Sequence, residues 1–101
     1  MFVACSTMCF ARLPLDRALR LISELGFGKV DVAINEHGDH LKPSEVVQDL
    51  ARAALRIRIG PSLTPAAFSV EFDVADDAEY HRQLNAICRL ARATAVTTLT
   101  I

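Results

Sequence analysis

The chain has 101 residues, 51% of them hydrophobic, which is enough for one modest core and too apolar for a disordered chain. Eleven Lys and Arg stand against twelve Asp and Glu, a balance without the basic footprint that nucleic-acid binding leaves. No stretch approaches the run of about 20 apolar residues needed to span a membrane. Met1–Cys5 is too short, and lacks the basic flank, for a signal peptide. The chain is therefore expected to be cytoplasmic, with no nucleic-acid or membrane partner. Its three cysteines, Cys5, Cys9 and Cys88, form no C-x-x-C pair and fit free thiols, with Cys88 expected in the core.

In chain order, the first segment, Phe2–Cys5, reads as a strand. A helix follows in which Leu15, Ala18, Leu19, Ile22 and Leu25 share one face, with Pro14 near its start and Gly26 after its end. Val30–Ile34 is the second strand. Val47, Leu50, Ala54 and Ile57 give the face of a second helix, ended by Gly60-Pro61. Ala67–Phe72 is the third strand. Tyr80, Leu84, Ile87 and Ala91 give a third helix, opened by Asp76 and Glu79 at capping-box spacing. Val96–Ile101 is the fourth strand. Leu19, Ile22, Leu84 and Ile87 are expected to be buried against the sheet. The strands mix residues for both faces, as strands covered on both sides do.

The order is therefore β-α-β-α-β-α-β, an α/β chain whose crossover helices make the strands parallel. Strand starts at 2, 30, 67 and 96 repeat about every 30 residues, against roughly 31 per unit in an eight-unit barrel of about 250 residues. The turn after the first strand, Ser6-Thr7-Met8-Cys9, has no glycines for a phosphate or dinucleotide loop. The chain also stops inside the fourth strand. These features favour the N-terminal half of a (β/α)8 TIM barrel, strands in order 1-2-3-4 and helices on one face, with residues 1–101 forming one partial domain.

In parallel α/β folds, ligands gather at the carboxyl ends of strands. That rule nominates Ser6 and Thr7, the loop 35–40 and the segment 71–73. The loop Asn35-Glu36-His37-Gly38-Asp39-His40 packs two imidazoles and two carboxylates into Glu36 to His40, groups that exchange protons or bind metal near neutral pH. Its other reading is a solvated loop that caps the next helix. Glu71 and Asp73 close the third strand, and only one of them is expected to reach the mouth. Asp73 and Asp76 are expected instead to favour the turn and cap the third helix. The candidate substrate-binding residues are Ser6, Thr7, Glu36, His37, His40 and Glu71. No catalytic residue or metal ligand is assigned.

The run Ala4-Cys5-Ser6-Thr7, followed by Glu24-Leu25-Gly26-Phe27-Gly28-Lys29-Val30-Asp31-Val32, resembles the opening of xylose-isomerase-like TIM barrels, the sugar-phosphate isomerase/epimerase superfamily. Asn35–Ser44, Thr64-Pro65-Ala66-Ala67-Phe68 and Cys88-Arg89-Leu90-Ala91 are similar to its loop after strand 2, its approach to strand 3 and its helix before strand 4. The resemblance implies a carbohydrate-like substrate, a divalent metal (Mn, Mg, Co or Zn) and proton transfer next to a carbonyl. It also implies that the metal ligands come from later strands and that either His37 or His40 assists. The superfamily includes zinc-dependent AP endonucleases, a branch that the near-neutral charge disfavours. Two rival readings remain: a non-catalytic half-barrel that self-associates through exposed strand edges, and a small ligand-binding α/β domain.

Overall fold

In the computed structural model, which describes residues 3–58 and 62–101, the chain forms a four-stranded parallel sheet in the order β1-β2-β3-β4. The strands are β1 (Ala4–Ser6), β2 (Lys29–Asn35), β3 (Thr64–Glu71) and β4 (Thr98–Thr100). The helices are α1 (Leu15–Glu24), α2 (Pro43–Gln48), α3 (Leu50–Ile57) and α4 (Asp77–Thr94), and a 3₁₀ turn covers Thr7–Phe10. Sequential parallel pairing follows from connections long enough to carry the chain back to the same end each time. Phe2 and Gly60-Pro61 lie outside the described residues.

The helices adjoin one another, α1 against α3 and α3 against α4, and share one apolar cluster with alternate strand residues. Val30, Val32, Ile34, Phe68 and Val70 face Leu19, Ile22, Ile57 and Ile87 in that cluster. β2 alternates except at Ala33, which is buried as well, and so departs from the expectation of strands covered on both sides. Its other face carries Lys29, Asp31, Ala33 and Asn35, paired in register with Thr64, Ala67, Ser69 and Glu71. This uncovered face is polar. Ser69 donates from Oγ to both Asp31 oxygens at 3.0 and 2.9 Å, so the two polar rows are tied across the strands. β3 departs from strict alternation. Its register slips between Val30 and Asp31, so that Val30 pairs with Pro65 and Asp31 with Ala67, leaving Ala66 as an extra residue. Proline has no N–H for the ladder and is tolerated at such a bulge.

Helix ends follow local chemistry. Gly26, at φ +95°, ends α1: its N–H donates to Ser23 O at 3.0 Å and the Phe27 N–H to Ile22 O at 3.3 Å, a Schellman closure. Asp76 caps α4 by accepting from Ala78 N at 3.3 Å. Glu79 does not complete a capping box, because its carboxylate takes Arg82 at 3.2 Å and Gln83 at 3.4 Å instead.

The helical faces differ from expectation in several places. The second helix is two helices, because Asp49 is extended (φ −152°, ψ 92°) and caps α3 by accepting from Arg52 N. That break turns α2 so that Val46 is buried and Val47 only half-buried. On α4 the buried row is Gln83, Ile87, Leu90, Ala91 and Thr94, which leaves Leu84 half-buried and Cys88 exposed. Gln83 is the first residue of that buried row, and its Oε1 has no hydrogen-bond partner among the described residues. Leu25 is the C-cap of α1 and points to solvent.

Candidate functional site

At the carboxyl ends of the strands, two adjoining hollows of about 260 and 300 Å³ share Met8, Ala33 and Asn35. The first is walled by His37, Gly38, Asp39 and His40, the second by Ser69, Glu71 and Thr100. A single concave mouth thus spans the ends of β2, β3 and β4 beside the turn after β1.

The loop after β2 closes back on its own strand. Asn35 N donates to Leu41 O at 2.9 Å and Gly38 N to Asn35 O at 3.1 Å. The Asn35 side chain binds in two directions: Oδ1 accepts from His37 N at 2.9 Å, while Nδ2 donates to Glu71 Oε2 at 3.1 Å. His37 bonds through Nε2 to Asp73 Oδ2. Asn35 and Glu71 are in register, and His37 and Asp73 each lie two residues further along. The two strand ends therefore carry two cross-strand polar pairs, one above the other. Both members of the His37–Asp73 pair are largely exposed, at 73% and 62% of the side chain. The bond at Nε2 leaves Nδ1 as the ring nitrogen open to a ligand.

Of the other candidates, His40 and Glu71 line the hollows and Ser6, Thr7 and Glu36 do not, and all five bond to the protein itself. Ser6 Oγ accepts from Met8 N at 3.1 Å and caps the 3₁₀ turn. Thr7 is fully buried, and its Oγ1 accepts from Ala33 N at 2.9 Å, taking up a ladder donor just beyond the end of β1. Glu36 accepts from Ser44 N at 3.1 Å and from Ser44 Oγ at 2.6 Å, fastening the loop to the first turn of α2. His40, 5% exposed, donates from Nε2 to Leu13 O at 2.8 Å and reaches Phe10 O at 3.2 Å, pinning the segment before α1. Glu71 is exposed and bonded to Asn35.

Asn35 and Asp73 were missed as site residues. Asp73 was expected to serve the turn and α4, but that task falls to Asp76 alone, which leaves the Asp73 carboxylate for His37. Glu71 lines the second hollow, whereas Asp73 lines neither and is tied to the site through its bond to His37. The signal was in the sequence: the offset from Asn35 to His37 equals that from Glu71 to Asp73.

Beneath the turn after β1, Cys5 is half-buried and packs on the apolar cluster. Burial pushes its thiol up, and a hydrogen bond and charge repulsion from Cys9 push it further the same way. Among the described residues, no three His, Cys, Asp or Glu side chains converge as a metal site would need. No described helix is long and apolar enough to cross a membrane. No family model, no curated protein and no solved structure matches this chain.

Proposed function

We propose that this chain is the N-terminal part of a (β/α)8 barrel enzyme that isomerises or epimerises a carbohydrate by moving a proton next to a carbonyl. The observation that carries the reading is the pair of cross-strand couples, Asn35–Glu71 and His37–Asp73, beside the hollows at the strand ends. Proton transfer at carbon needs a base and an acid within reach of the same substrate. Asp73 holds the His37 ring through Nε2, which leaves Nδ1 as the nitrogen to take and return a proton. Glu71, positioned by Asn35, supplies a second proton-holding group in the adjoining hollow. The one-layer parallel sheet with a polar open face is compatible with the first half of a barrel, whose active site forms at these strand ends.

The resemblance to xylose-isomerase-like barrels adds a divalent metal, which would polarise the substrate oxygens. The residues described here do not make up a set for it, since His37 and Asp73 provide at most two ligands. This chain alone is therefore expected to bind Mn²⁺ or Zn²⁺ weakly and to turn nothing over, lacking an opposite wall to exclude water. The test uses the whole product of the gene that encodes this chain, assayed with metal on aldoses, ketoses and their phosphates in deuterated water. Deuterium uptake next to the carbonyl, reduced about a hundredfold or more by His37→Ala, is the expected result. Absence of turnover on every substrate would refute the reading.

A second reading, self-association without catalysis, draws support from the sheet edges. Val3 beside β1 and Ile101 beside β4 are 66% and 68% exposed, and both continue the rows that face the helices. Joining two such edges would cover both side chains and pair the free backbone groups. Light scattering at about 100 μM decides it: a purely monomeric chain would exclude this alternative.

A further inference from the structure

Two thiols meet at the turn after β1. Cys5 lies in β1, one residue before Ser6, whose Oγ accepts from Met8 N and opens the 3₁₀ turn. Cys9 is within that turn. A residue just before such a cap folds over the turn it precedes. Cys5 does so. Like Phe10 it packs on the apolar cluster, its Sγ donates to Ser6 O at 3.7 Å, and its thiol is hydrogen-bonded to Cys9. Cys9 is exposed and Cys5 half-buried, so one sulfur of the pair faces solvent and the other backs it. Cys88 stands apart on α4 and is exposed. Between the two thiols in the chain lie Thr7, buried and bonded to Ala33 N, and Met8, which lines both hollows.

We infer that Cys5 and Cys9 form a thiol–disulfide exchange site whose oxidation reshapes the shared wall of the mouth. The oxidant is a low-molecular-weight disulfide of the oxidised-glutathione class. The exposed Cys9 thiolate attacks one sulfur of it and releases the first glutathione as a thiolate. Cys5 then loses its proton to solvent and attacks the Cys9 sulfur of the mixed disulfide, releasing the second glutathione. Two cysteine thiols are oxidised to one disulfide, one glutathione disulfide is reduced to two thiols, and the protons pass to the departing thiolates. Burial keeps Cys5 from attacking first, but the second step is intramolecular and the two sulfurs are already neighbours. The new bond closes a loop around Ser6, Thr7 and Met8, and so draws on the turn that carries Met8 into both hollows. This chemistry does not depend on what the mouth binds.

The test incubates the folded chain with oxidised glutathione, blocks free thiols with N-ethylmaleimide, and maps tryptic peptides by mass. The peptide ending at Arg12 carries both Cys5 and Cys9, and the one ending at Arg89 carries Cys88. The first should lose two hydrogens, the mark of an internal disulfide, while Cys88 stops as a mixed disulfide with glutathione. Cys5→Ser should halt the reaction at a mixed disulfide on Cys9. Cys9→Ser should slow the consumption of Cys5 by about tenfold or more, because the buried partner lacks its exposed relay. In the oxidised wild-type chain the backbone amide signals of Met8 and Ala33 should shift, with that of Phe68 unmoved. Separate glutathione adducts on Cys5 and Cys9, or a Cys5 that reacts as fast without Cys9, overturn the inference. So does an internal disulfide that leaves the Met8 and Ala33 signals where they were.

Discussion

His37 and His40 lie three residues apart in one loop and belong to two differently built halves of the mouth. The His40 half is made like a core. The imidazole is buried and its Nε2 is taken up by backbone carbonyls, while Thr7 across the same turn is buried and bonded to the β2 backbone. The His37 half is solvent-facing and held by side-chain pairs, with Asp73 and with the Asn35–Glu71 couple. The lesson is that one loop can separate support from chemistry. Buried polar groups lock geometry because losing a partner there leaves an unsatisfied atom, whereas exposed pairs contribute little to stability and remain available to a ligand.

The contrast can be broken most forcefully at His40. Replacing it with Ala removes the donor to Leu13 O and opens a void beside Leu41, and should lower stability by about 2 kcal/mol or more in urea titration. A change below about 0.5 kcal/mol would place His40 with His37 and end the distinction. Thr7→Val keeps shape but leaves the Ala33 N–H without its acceptor, with an expected loss of about 1–2 kcal/mol. Amide exchange should then speed up at Ala33 ahead of the rest of β2.

On the other side of the comparison, His37→Gln should move stability by less than about 0.5 kcal/mol, since an exposed pair is screened by solvent. A double-mutant cycle with Asp73→Asn should return a coupling of similarly small size, decreasing with salt. The smallest effect is chemical. In alkylation the thiolate attacks iodoacetamide and displaces iodide, and a thiol pushed up holds less thiolate at any given pH, so at pH 8 the exposed Cys9 and Cys88 should be modified before Cys5. Peptide mass mapping over time would show the order, and simultaneous labelling of all three would contradict it.

Much of the frame is visible in the amino-acid order. Periodicity locates α1 and α4, Gly26 marks the end of α1, Asp76 the start of α4, and unit spacing implies a sequential parallel sheet. It is less informative where one residue outweighs a pattern. Asp49 splits an apolar face that reads as continuous, because a side chain able to cap a new helix competes with the backbone for its own N–H groups. Leu84 looks like core by hydrophobicity, yet the turn of α4 gives that place to Gln83. For the site, strand ends fix which residues gather at the mouth but not what each one grasps. Ser6, Thr7, Glu36 and His40 all bond to the protein itself, whereas the coupling of Asn35 to Glu71 and of His37 to Asp73 is invisible in the sequence because the partners are 36 residues apart. That information resides in the register between β2 and β3.

The bulge at Ala66 has a consequence for how this chain tolerates changes in length. Three positions separate Pro65 from Phe68, whereas only two separate their partners Val30 and Val32, yet both Pro65 and Phe68 are buried. β3 is thus two stretches of opposite phase joined at one residue. Deleting Ala66 would set Pro65 and Phe68 two positions apart, like their partners Val30 and Val32, and give a regular ladder with both still buried. Deleting Ser69, beyond the bulge, would instead set Val70 directly after Phe68 and send one of them to the polar face. Two-residue changes elsewhere in the strand would preserve phase. Single-residue deletions should therefore be tolerated in this strand at the bulge, where losing the extra residue restores one-to-one pairing, and purged beyond it.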